Sequence, residues 1–372
     1  MLIARSVHPL PGEAERKERL LSLIDNFGGR RVLVIGDLIV DEFIYGEVHR
    51  VSREAPVLIL KYDATEIVAG GAGNAANNVA ALGGSATLAG LVGADEQGRR
   101  LLAGLPRSVD SRRVVRSKSY RTPIKTRILA GGIHSAKQQI VRIDREAGWP
   151  LDDTVSKAFT QKVGAALDGC DAVLLSDYGS GLVTPVLASA IAAATLKRGR
   201  RRPIPIVVDS RYRLLEYHGL TTCTPNEAEV DQALGIRIDD DPEVLEQAGR
   251  TVLRRTGMRA VLITRGSRGM ALFQPRQPTI HVPIFGPAEV TDVTGAGDTV
   301  IATMSLALAS AASFYEATRL ANYAGGLVVM KRGTATVSAQ ELRDAVERDH
   351  DTTVENWSQE GPEQGRRAGI RG

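Results

Sequence analysis

The 372-residue sequence has few of the features that mark disulfide-rich, metal-binding or membrane proteins. It contains two cysteines, Cys170 and Cys223, which form neither a disulfide framework nor a zinc-binding spacing. The six histidines are isolated in sequence, so no metal-ligand cluster is expected. No apolar run is long enough to span a membrane, and the charged N-terminus is not typical of a signal peptide. We therefore expect a cytoplasmic protein that does not bind membranes.

Several enzyme signatures are also missing. The sequence contains no P-loop, no protein-kinase signature set, no Gly-x-Ser-x-Gly motif and no dinucleotide-binding fingerprint. These absences exclude a P-loop enzyme and argue against a nicotinamide-dependent dehydrogenase. The net charge is +4, and the densest basic cluster, residues 197–202, lacks aromatic partners. Nucleic-acid binding is therefore not expected.

Apolar runs typical of buried strands alternate with helical patterns, which predicts an α/β fold with a parallel sheet covered on both faces. The predicted strands are 31–37, 172–176, 205–209 and 260–264. The predicted helices are 152–167, 185–197, 226–234 and 242–256. Ligands bind such sheets at the carboxyl ends of the strands, so we expect the polar residues that follow these strands to share one crevice.

The chain is expected to hold one main domain, residues 30–348. Two segments of shorter alternating strands, about 42–62 and 117–145, predict a small β lid over the crevice. Residues 1–29 predict a peripheral helix or extension, and the polar residues 349–372 predict a disordered tail.

The segment Asp292-Val293-Thr294-Gly295-Ala296-Gly297-Asp298 is the most informative part of the sequence. Its glycines leave room for an anion, and an apolar helical stretch, 299–312, follows at once. A helix N-terminus offers N–H groups and a positive dipole end, which predicts a phosphate site. A carboxylate at Asp298 could then take a proton from a hydroxyl that attacks the phosphate. The alternative is a glycine-rich turn in which Asp298 caps the helix.

Other motifs also admit a functional and a structural interpretation. Gly70-Gly71-Ala72-Gly73-Asn74 opens a helical stretch, either to let a ligand approach or to pack closely. Asn226 and Glu229, three residues apart at a helix start, could hold the water shell of Mg²⁺ or cap the helix. Asp41, four residues after Asp37, could bind sugar hydroxyls or be solvated in a loop.

Three of these motifs, in chain order, resemble those of the ribokinase-like (PfkB) carbohydrate kinases: Gly70-Gly71 with Asn74, Asn226 with Glu229, and the segment from Asp292 to Asp298. The resemblance covers about residues 31–346. It implies a central, mostly parallel sheet flanked by helices on both faces, with a small β-sheet lid. It also implies transfer of the γ-phosphoryl group of ATP, with Mg²⁺, to a sugar hydroxyl; dependence on a monovalent cation such as K⁺ stays open.

The resemblance implies roles by position. By this resemblance, Asp298 corresponds to the catalytic base of the family. The amides of Gly295, Ala296 and Gly297 correspond to its anion hole. The ATP- and Mg²⁺-binding residues would be Asn226, Glu227, Ala228, Glu229, Thr264, Gly266, Asp292, Thr294 and Asn322. Of these, Glu229 would hold the metal through water, and Asn322 would lie near adenine. The substrate-binding residues would be Asp41, Gly70, Gly71, Asn74, Lys125 and Arg142.

A narrower resemblance is to the heptose-phosphate kinase branch of the family. It is carried by Val34-Ile35-Gly36-Asp37, Asp41, Tyr45-Gly46, Ser52–Val57, Gln138–Asp144, Ser176-Asp177-Tyr178 and Gly333–Ser338. It implies phosphorylation of the anomeric hydroxyl of D-glycero-β-D-manno-heptose 7-phosphate, a precursor of ADP-heptose and lipopolysaccharide. The branch is often fused to a nucleotidyltransferase, and the early end of this chain predicts a kinase-only form.

The sequence departs from the branch at three places near the expected crevice. It has Gly179-Ser180-Gly181 where the branch has Ala-Lys-Gly, Asp209-Ser210-Arg211 where the branch has Asp-Pro-Lys, and Arg53 where the branch has Pro. Lys125, Arg127, Arg142 and Arg53 are the candidate cations for the substrate phosphate, with solvent-facing strand charge as the alternative.

Two alternatives to a heptose kinase remain. The first is a kinase for another acceptor, such as ribose, a fructose phosphate, a ketodeoxy sugar acid or a nucleoside. The second is a sugar or nucleotide sensor on the same fold, without catalysis. The expected partners are a small sugar phosphate and ATP, and a homodimer through the lid is expected by analogy.

Overall fold

The computed structural model describes residues 13–131, 137–147, 151–196, 203–286 and 291–349. Its strands, numbered in chain order, are β1 (Arg31–Gly36), β2 (Leu38–Val51), β3 (Leu58–Gly71), β4 (Ser85–Ala89), β5 (Leu91–Gly93), β6 (Val109–Asp110), β7 (Val115–Ser117), β8 (Ile124–Gly131), β9 (Gln138–Arg145), β10 (Ala172–Asp177), β11 (Ile206–Ser210), β12 (Thr222–Cys223), β13 (Ala260–Thr264), β14 (Met270–Phe273) and β15 (Ile280–Val282). Its helices are α1 (Glu13–Asp25), α2 (Ala72–Ala81), α3 (Glu96–Ala103), α4 (Asp153–Ala166), α5 (Pro185–Leu196), α6 (Glu227–Leu234), α7 (Pro242–Thr256), α8 (Ala296–Ala309), α9 (Phe314–Val328) and α10 (Ala339–Arg348).

Within the described ranges, nine strands form the central sheet in the order β15-β14-β13-β12-β11-β10-β1-β4-β6. Neighbouring strands from β6 to β13 pair in parallel, whereas β14 and β15 are antiparallel at one edge. The predicted mostly parallel sheet is therefore confirmed. The antiparallel edge was not predicted, because β14 and β15 are short and follow β13 without an intervening α-helix.

The core lies on both faces of this sheet. Val32 and Val34 of β1 belong to one apolar cluster, which includes residues of α2, α8 and α9. Leu33 and Ile35 of the same strand belong to a second cluster, with residues of α4, α5 and α7. Successive side chains of a strand point to opposite faces, so a continuous apolar run is what a strand covered on both faces requires.

The predicted β lid is present as a separate sheet, with four strands among the described residues in the order β3-β2-β8-β9. Strand β2 pairs in parallel with β8, and the outer pairs are antiparallel. Its first two strands are longer than predicted, and β3 continues to Gly71. Gly70 and Gly71 therefore end a lid strand immediately before α2, and the chain has no free loop at this position.

Some of the predicted features fall on residues that the structure does not describe. They include the basic cluster 197–202, residues 1–12 of the N-terminal extension and residues 350–372 of the tail. Within the expected N-terminal extension, helix α1 is present. Across the helices that the structure describes, none combines the length and apolarity needed to cross a membrane.

Candidate active site

The carboxyl ends of five adjacent parallel strands bring the predicted polar residues to one edge of the sheet. Their order is β1, β10, β11, β12 and β13. Asp37 follows β1, Tyr178 follows β10, and Asp209 is the penultimate residue of β11. Asn226 follows β12 and bridges to Thr264 at the end of β13. This arrangement is the crevice that the sequence predicts.

Asp298 lies at this edge, in the first turn of α8. Its side chain is buried, with 3% of the residue exposed. Gly295 precedes the helix in the left-handed conformation, at φ 78°, which a residue with a side chain rarely adopts. A Cβ at Gly295 would also lie 2.6 Å from Nδ2 of Asn74. Glycine at this position therefore allows α2 and the start of α8 to approach each other.

A chain of side-chain hydrogen bonds orients Asn74 toward Asp298. The Thr299 hydroxyl donates to Oδ1 of Asn78 at 2.9 Å, and Nδ2 of Asn78 donates to Oδ1 of Asn74 at 3.1 Å. Nδ2 of Asn74 is then directed at Oδ2 of Asp298, 2.9 Å away. The phenol of Tyr178 donates to the other oxygen, Oδ1, at 3.2 Å. Each carboxylate oxygen of Asp298 thus accepts a hydrogen bond from a neutral donor.

Burial raises the pKa of Asp298 to about 7, because the charged form is desolvated. The hydrogen bond from Asn74 lowers this pKa, the nearby Asp41 raises it, and Tyr178 and Lys125 lower it. A carboxylate with a pKa near 7 is suited to general-base work at neutral pH.

Asp41 lies on β2, in the lid, and not in the loop that was one alternative. Its carboxylate forms a buried ion pair with Arg127 of β8 and accepts a long hydrogen bond of 3.4 Å from the Thr334 hydroxyl. A Cβ at Gly70 would lie 2.2 Å from Oδ2 of Asp41, so the glycine makes room for this carboxylate. Lys125, two residues before Arg127, places its ammonium 4.8 Å from the centre of the Tyr178 ring.

Two carboxylates, Asp209 and Glu229, lie near each other further along the edge. Burial and the charge of Glu229 raise the pKa of Asp209 well above its usual value, and burial also raises the pKa of Glu229. Carboxylates that are buried close together favour a bound cation, so this donor set fits Mg²⁺. Among the described residues there is no group of three or more acidic, histidine or cysteine ligands.

Asn226 and Glu229 also form the helix cap that was the alternative interpretation. Oδ1 of Asn226 accepts from the Glu229 amide, and Oε2 of Glu229 accepts from the Asn226 amide, both at 2.9 Å. This capping box fixes the two side chains at the start of α6. Between them, Ala228 is exposed, and Glu227 is directed away into ion pairs with Arg265 and Arg268. The structure therefore does not bring Glu227 into the carboxylate pair.

The residues of the segment from Asp292 to Asp298 that precede the base have different contacts. Both oxygens of Asp292 accept backbone N–H groups, from Thr294 at 2.9 Å and from Gly333 at 2.9 Å. Asp292 thus shapes the turn, and its expected part in binding ATP and Mg²⁺ stays a prediction. The amide of Ala296 donates to the carbonyl of Val293 at 3.2 Å, so this expected anion-hole amide is engaged in the turn. Gly297 lies close to Asp209, since its Cβ would be 3.8 Å from Oδ2.

The residues expected near the nucleotide lie at the end of β13 and on the elements that follow it in the chain. Gly266 has a φ of 56°, which lets the chain turn directly after Thr264. Asn322 is buried on α9, and its amide donates to the carbonyl of Pro283 at 2.8 Å. It lines a cavity of about 230 Å³ together with Phe285 and Tyr323, whose rings meet edge to face at 4.8 Å.

The expected substrate residue Arg142 is exposed and is bound within its own strand. It lies on β9, the exposed outer strand of the lid, opposite Arg127. Its guanidinium binds the Asp144 carboxylate at 2.8 and 3.0 Å. Asp144 lies two residues along the same strand, so this ion pair forms within β9 and does not connect Arg142 to the crevice residues.

The sequence did not predict roles for Tyr178 and Asp209. Both follow apolar strand runs, and this position was the signal that could have identified them. What the sequence could not show is that α8 and α6 approach these strand ends, which places Tyr178 against Asp298 and Asp209 near Glu229.

Solved structures with the same fold are ribokinase of Arabidopsis thaliana complexed with ribose and ATP, and phosphofructokinase-2 of Escherichia coli in complex with potassium. The first has a TM-score of 0.66 at 21% identity, covering 86% of this chain and 99% of that chain. The second has a TM-score of 0.67 at 19% identity, covering 86% of this chain and 98% of that chain. At these identities they show the fold alone, and they confirm the predicted ribokinase-like fold.

The chain is also similar to proteins named bifunctional protein HldE. The protein from Trichlorobacter lovleyi is 40% identical over 90% of this chain and 67% of its own length. Those from Geobacter sulfurreducens and Caulobacter vibrioides are 41% and 42% identical over 88% and 85% of this chain, and 65% and 63% of their own lengths. The chain thus spans about two thirds of the length of these relatives. They confirm the resemblance to the heptose-phosphate kinase branch.

The sequence model of the pfkB family carbohydrate kinases matches residues 30–341. This range contains the site residues described above, from Asp37 to Thr334. The chain therefore belongs to the pfkB family of carbohydrate kinases.

Proposed function

We propose that the protein transfers the γ-phosphoryl group of ATP to the anomeric hydroxyl of D-glycero-β-D-manno-heptose 7-phosphate. The observation that carries this proposal is a buried carboxylate, Asp298, at a helix N-terminus that faces the lid residues Asp41 and Lys125. The similarity to the HldE proteins supports the heptose substrate. We further propose residues 30–348 as the kinase domain and, because ATP is the donor, the cytoplasm as its location.

In the proposed reaction Asp298 acts as the general base. Its carboxylate accepts the proton of the sugar hydroxyl, the hydroxyl oxygen forms a bond to the γ-phosphorus, and the bond from that phosphorus to the bridging oxygen of ADP breaks. Asp41 is positioned to accept hydrogen bonds from other sugar hydroxyls, and its ion pair with Arg127 holds it there. Most of the acceleration comes from positioning and from charge stabilisation at the phosphate.

ATP and Mg²⁺ would occupy the far side of Asp298. Asp209 and Glu229 are the residues that would hold Mg²⁺, with Asn226 beside them. A bound magnesium ion supplies positive charge that neutralises the phosphate oxygens. Thr264 and Gly266 would lie along the nucleotide, and the cavity beside Asn322, with its aromatic wall, would take the adenine ring.

A substrate that already carries a phosphate needs a cation to bind it. Arg127 is paired with Asp41 and Arg142 with Asp144, whereas Lys125 forms no ion pair with another described residue. Its pKa is lowered by burial and by the charge of Arg211, so an incoming phosphate would stabilise its charged form. We therefore assign Lys125 as the principal contact of the sugar phosphate.

The proposal is tested by incubating the protein with ATP, Mg²⁺ and a panel of sugars and sugar phosphates. The products are identified by mass and by phosphorus NMR. We expect a 1,7-bisphosphate from the heptose phosphate, and a faster reaction with another acceptor would contradict the assigned substrate. Asp298→Asn is the matched control, and we expect turnover to fall about 100- to 10,000-fold while ATP still binds. Near-normal turnover in this variant would refute Asp298 as the base.

We also propose a homodimer through the lid. Lys125 faces the crevice, so its neighbour Thr126 points to the opposite face of the lid. Ile143, which pairs with Thr126 across the strands, lies on that same opposite face. Ile143 and Val141 are 46% and 44% exposed on this outer strand. An exposed apolar edge of this kind favours pairing with a second sheet. Sedimentation should show a dimer that Ile143→Lys converts to a monomer; a monomeric wild-type protein would exclude it.

A further inference from the structure

Tyr178 touches the proposed base, although the family resemblance gives it no role. Its phenol donates to Oδ1 of Asp298 at 3.2 Å, while Asn74 donates to Oδ2 at 2.9 Å. The two donors bind different oxygens, so the plane of the carboxylate is held from two sides. An acceptor oxygen has two lone-pair directions, and each oxygen therefore keeps one direction for a further hydrogen bond.

The loop that carries Tyr178 is itself fixed by two buried carboxylates. Asp37 accepts from the amides of Tyr178 at 2.8 Å and Ser180 at 3.2 Å, and also from the Ser180 hydroxyl. Asp177 accepts from the amide of Gly179 at 3.0 Å, and its other oxygen accepts from the Tyr217 hydroxyl at 2.7 Å. A loop held by this many charge-assisted bonds places its side chains within narrow limits.

The ring of Tyr178 is packed as well. The Lys125 ammonium lies 4.8 Å from the ring centre, on the lid side. A Cβ at Gly71 would lie 3.5 Å from Cδ2 of Tyr178 and 2.5 Å from the carbonyl oxygen of Asp37. The ring thus lies between the lid, the end of β3 and the base. Replacement by phenylalanine keeps all these ring contacts and removes the hydroxyl alone.

We propose that Tyr178 is a positioning residue for the base, which uses its phenol to keep Asp298 ionised and oriented toward the sugar hydroxyl. This inference rests on the proposed function. The physical basis is that a donor hydrogen bond stabilises a carboxylate more than a neutral carboxyl group. Burial and the charges of Asp298, Asp209 and Asp41 raise the pKa of Tyr178 well above its usual value, so the phenol stays protonated as a donor.

The direction of the effect follows from the groups around Asp298. Asp41 on the lid opposes its ionisation, whereas Asn74, Tyr178 and Lys125 favour it, and the charge of Asp298 in turn raises the pKa of Asp209 at the end of β11. Removing the phenol leaves one fewer donor, so the pKa of Asp298 rises from about 7. A hydrogen bond to a charged group corresponds to about one to two pH units, and the length of this bond favours the lower value.

The test compares wild type and Tyr178→Phe by the pH dependence of kcat/KM for the sugar phosphate. We expect the acid limb to move to higher pH by about one unit, with about a tenfold loss below it and recovery above it. Incorporating 3-fluorotyrosine at position 178, a stronger donor, should move the limb the other way. An unmoved acid limb in both variants would overturn the proposal.

Two tyrosines of the same region are matched controls. Tyr212 is exposed on the neighbouring loop, and Tyr212→Phe should leave the pH profile unchanged. Tyr217 is buried and bonds to Asp177, so Tyr217→Phe should reduce stability without moving the acid limb. If Tyr217→Phe moved the limb as far as Tyr178→Phe did, the effect would belong to the loop as a whole and the specific role of Tyr178 would be lost.

A measurement without any sugar separates this inference from the proposed function. The carboxyl carbon of Asp298 is titrated by ¹³C NMR, with Asp298→Asn used to assign its signal. A higher pKa in Tyr178→Phe supports the positioning role even if the heptose phosphate is not a substrate. An identical pKa in the two proteins refutes it even if the wild type phosphorylates the heptose.

Discussion

Replacing Asp298 by asparagine removes the titratable group at the centre of the crevice, and it should change how stability depends on pH. In the folded protein the pKa of Asp298 is raised to about 7, whereas the ordinary value for the unfolded chain is 3.8. Between these values the folded state holds a proton that the unfolded state has released. The free energy of unfolding of the wild type therefore falls as pH rises from 3.8 to about 7, and this group adds no further change above that pH.

The size of the effect follows from the shift. A difference of 7 − 3.8, about 3 units, corresponds to at most about 4 kcal/mol of unfolding free energy. Over the practical range from pH 5 to pH 8 the same pKa values give about 3 kcal/mol of unfolding free energy. Asparagine does not titrate, so Asp298→Asn lacks this loss. We expect the variant to gain stability relative to the wild type as pH rises.

Urea unfolding of both proteins at pH 5, 6, 7 and 8 measures this difference. The asparagine amide faces the donors Asn74 and Tyr178, which adds a cost that is the same at every pH and does not affect the trend. Asp37, whose pKa burial raises to about 6, is present in both proteins and cancels. A stability gap between variant and wild type that is equal at pH 5 and pH 8 would refute the raised pKa and with it the assignment of Asp298 as a base poised near neutrality.

The remaining predictions concern the metal, the sugar and the core. Glu229→Gln should raise the Mg²⁺ concentration needed for half-maximal activity, and an unchanged magnesium titration would remove Glu229 from the metal site. Gly70→Ala places a methyl group 2.2 Å from the Asp41 carboxylate and should lower kcat/KM for the sugar roughly 100-fold, with KM for ATP unchanged in steady-state assays. Gly249→Ala places a methyl group 2.3 Å from the Phe273 ring and should cost about 1–3 kcal/mol in urea unfolding while kcat stays normal; reduced kcat at full stability would contradict this reasoning.

Local sequence was sufficient for the elements with strong periodicity or distinctive glycines. Strand β13 and helix α7 lie where the sequence predicts them, because an apolar run and an amphipathic pattern are local signals. The motif from Asp292 to Asp298 predicted a helix N-terminus with a carboxylate, and α8 begins there. The lid was predicted from its alternating pattern, although β2 and β3 proved longer, since pairing between two strands extends both beyond their own signals.

The sequence by itself determined the fold class, the family and the position of Asp298 at the start of a helix, because these depend on patterns within short segments. Only the tertiary structure decided which polar residues meet. It pairs Glu227 with Arg265, engages both oxygens of Asp292 with backbone amides, and leaves Arg142 on an exposed strand. It also brings Tyr178 to within 3.2 Å of Asp298, two residues that lie 120 positions apart. Such contacts depend on how the sheet and helices pack, and packing is a property of the whole chain.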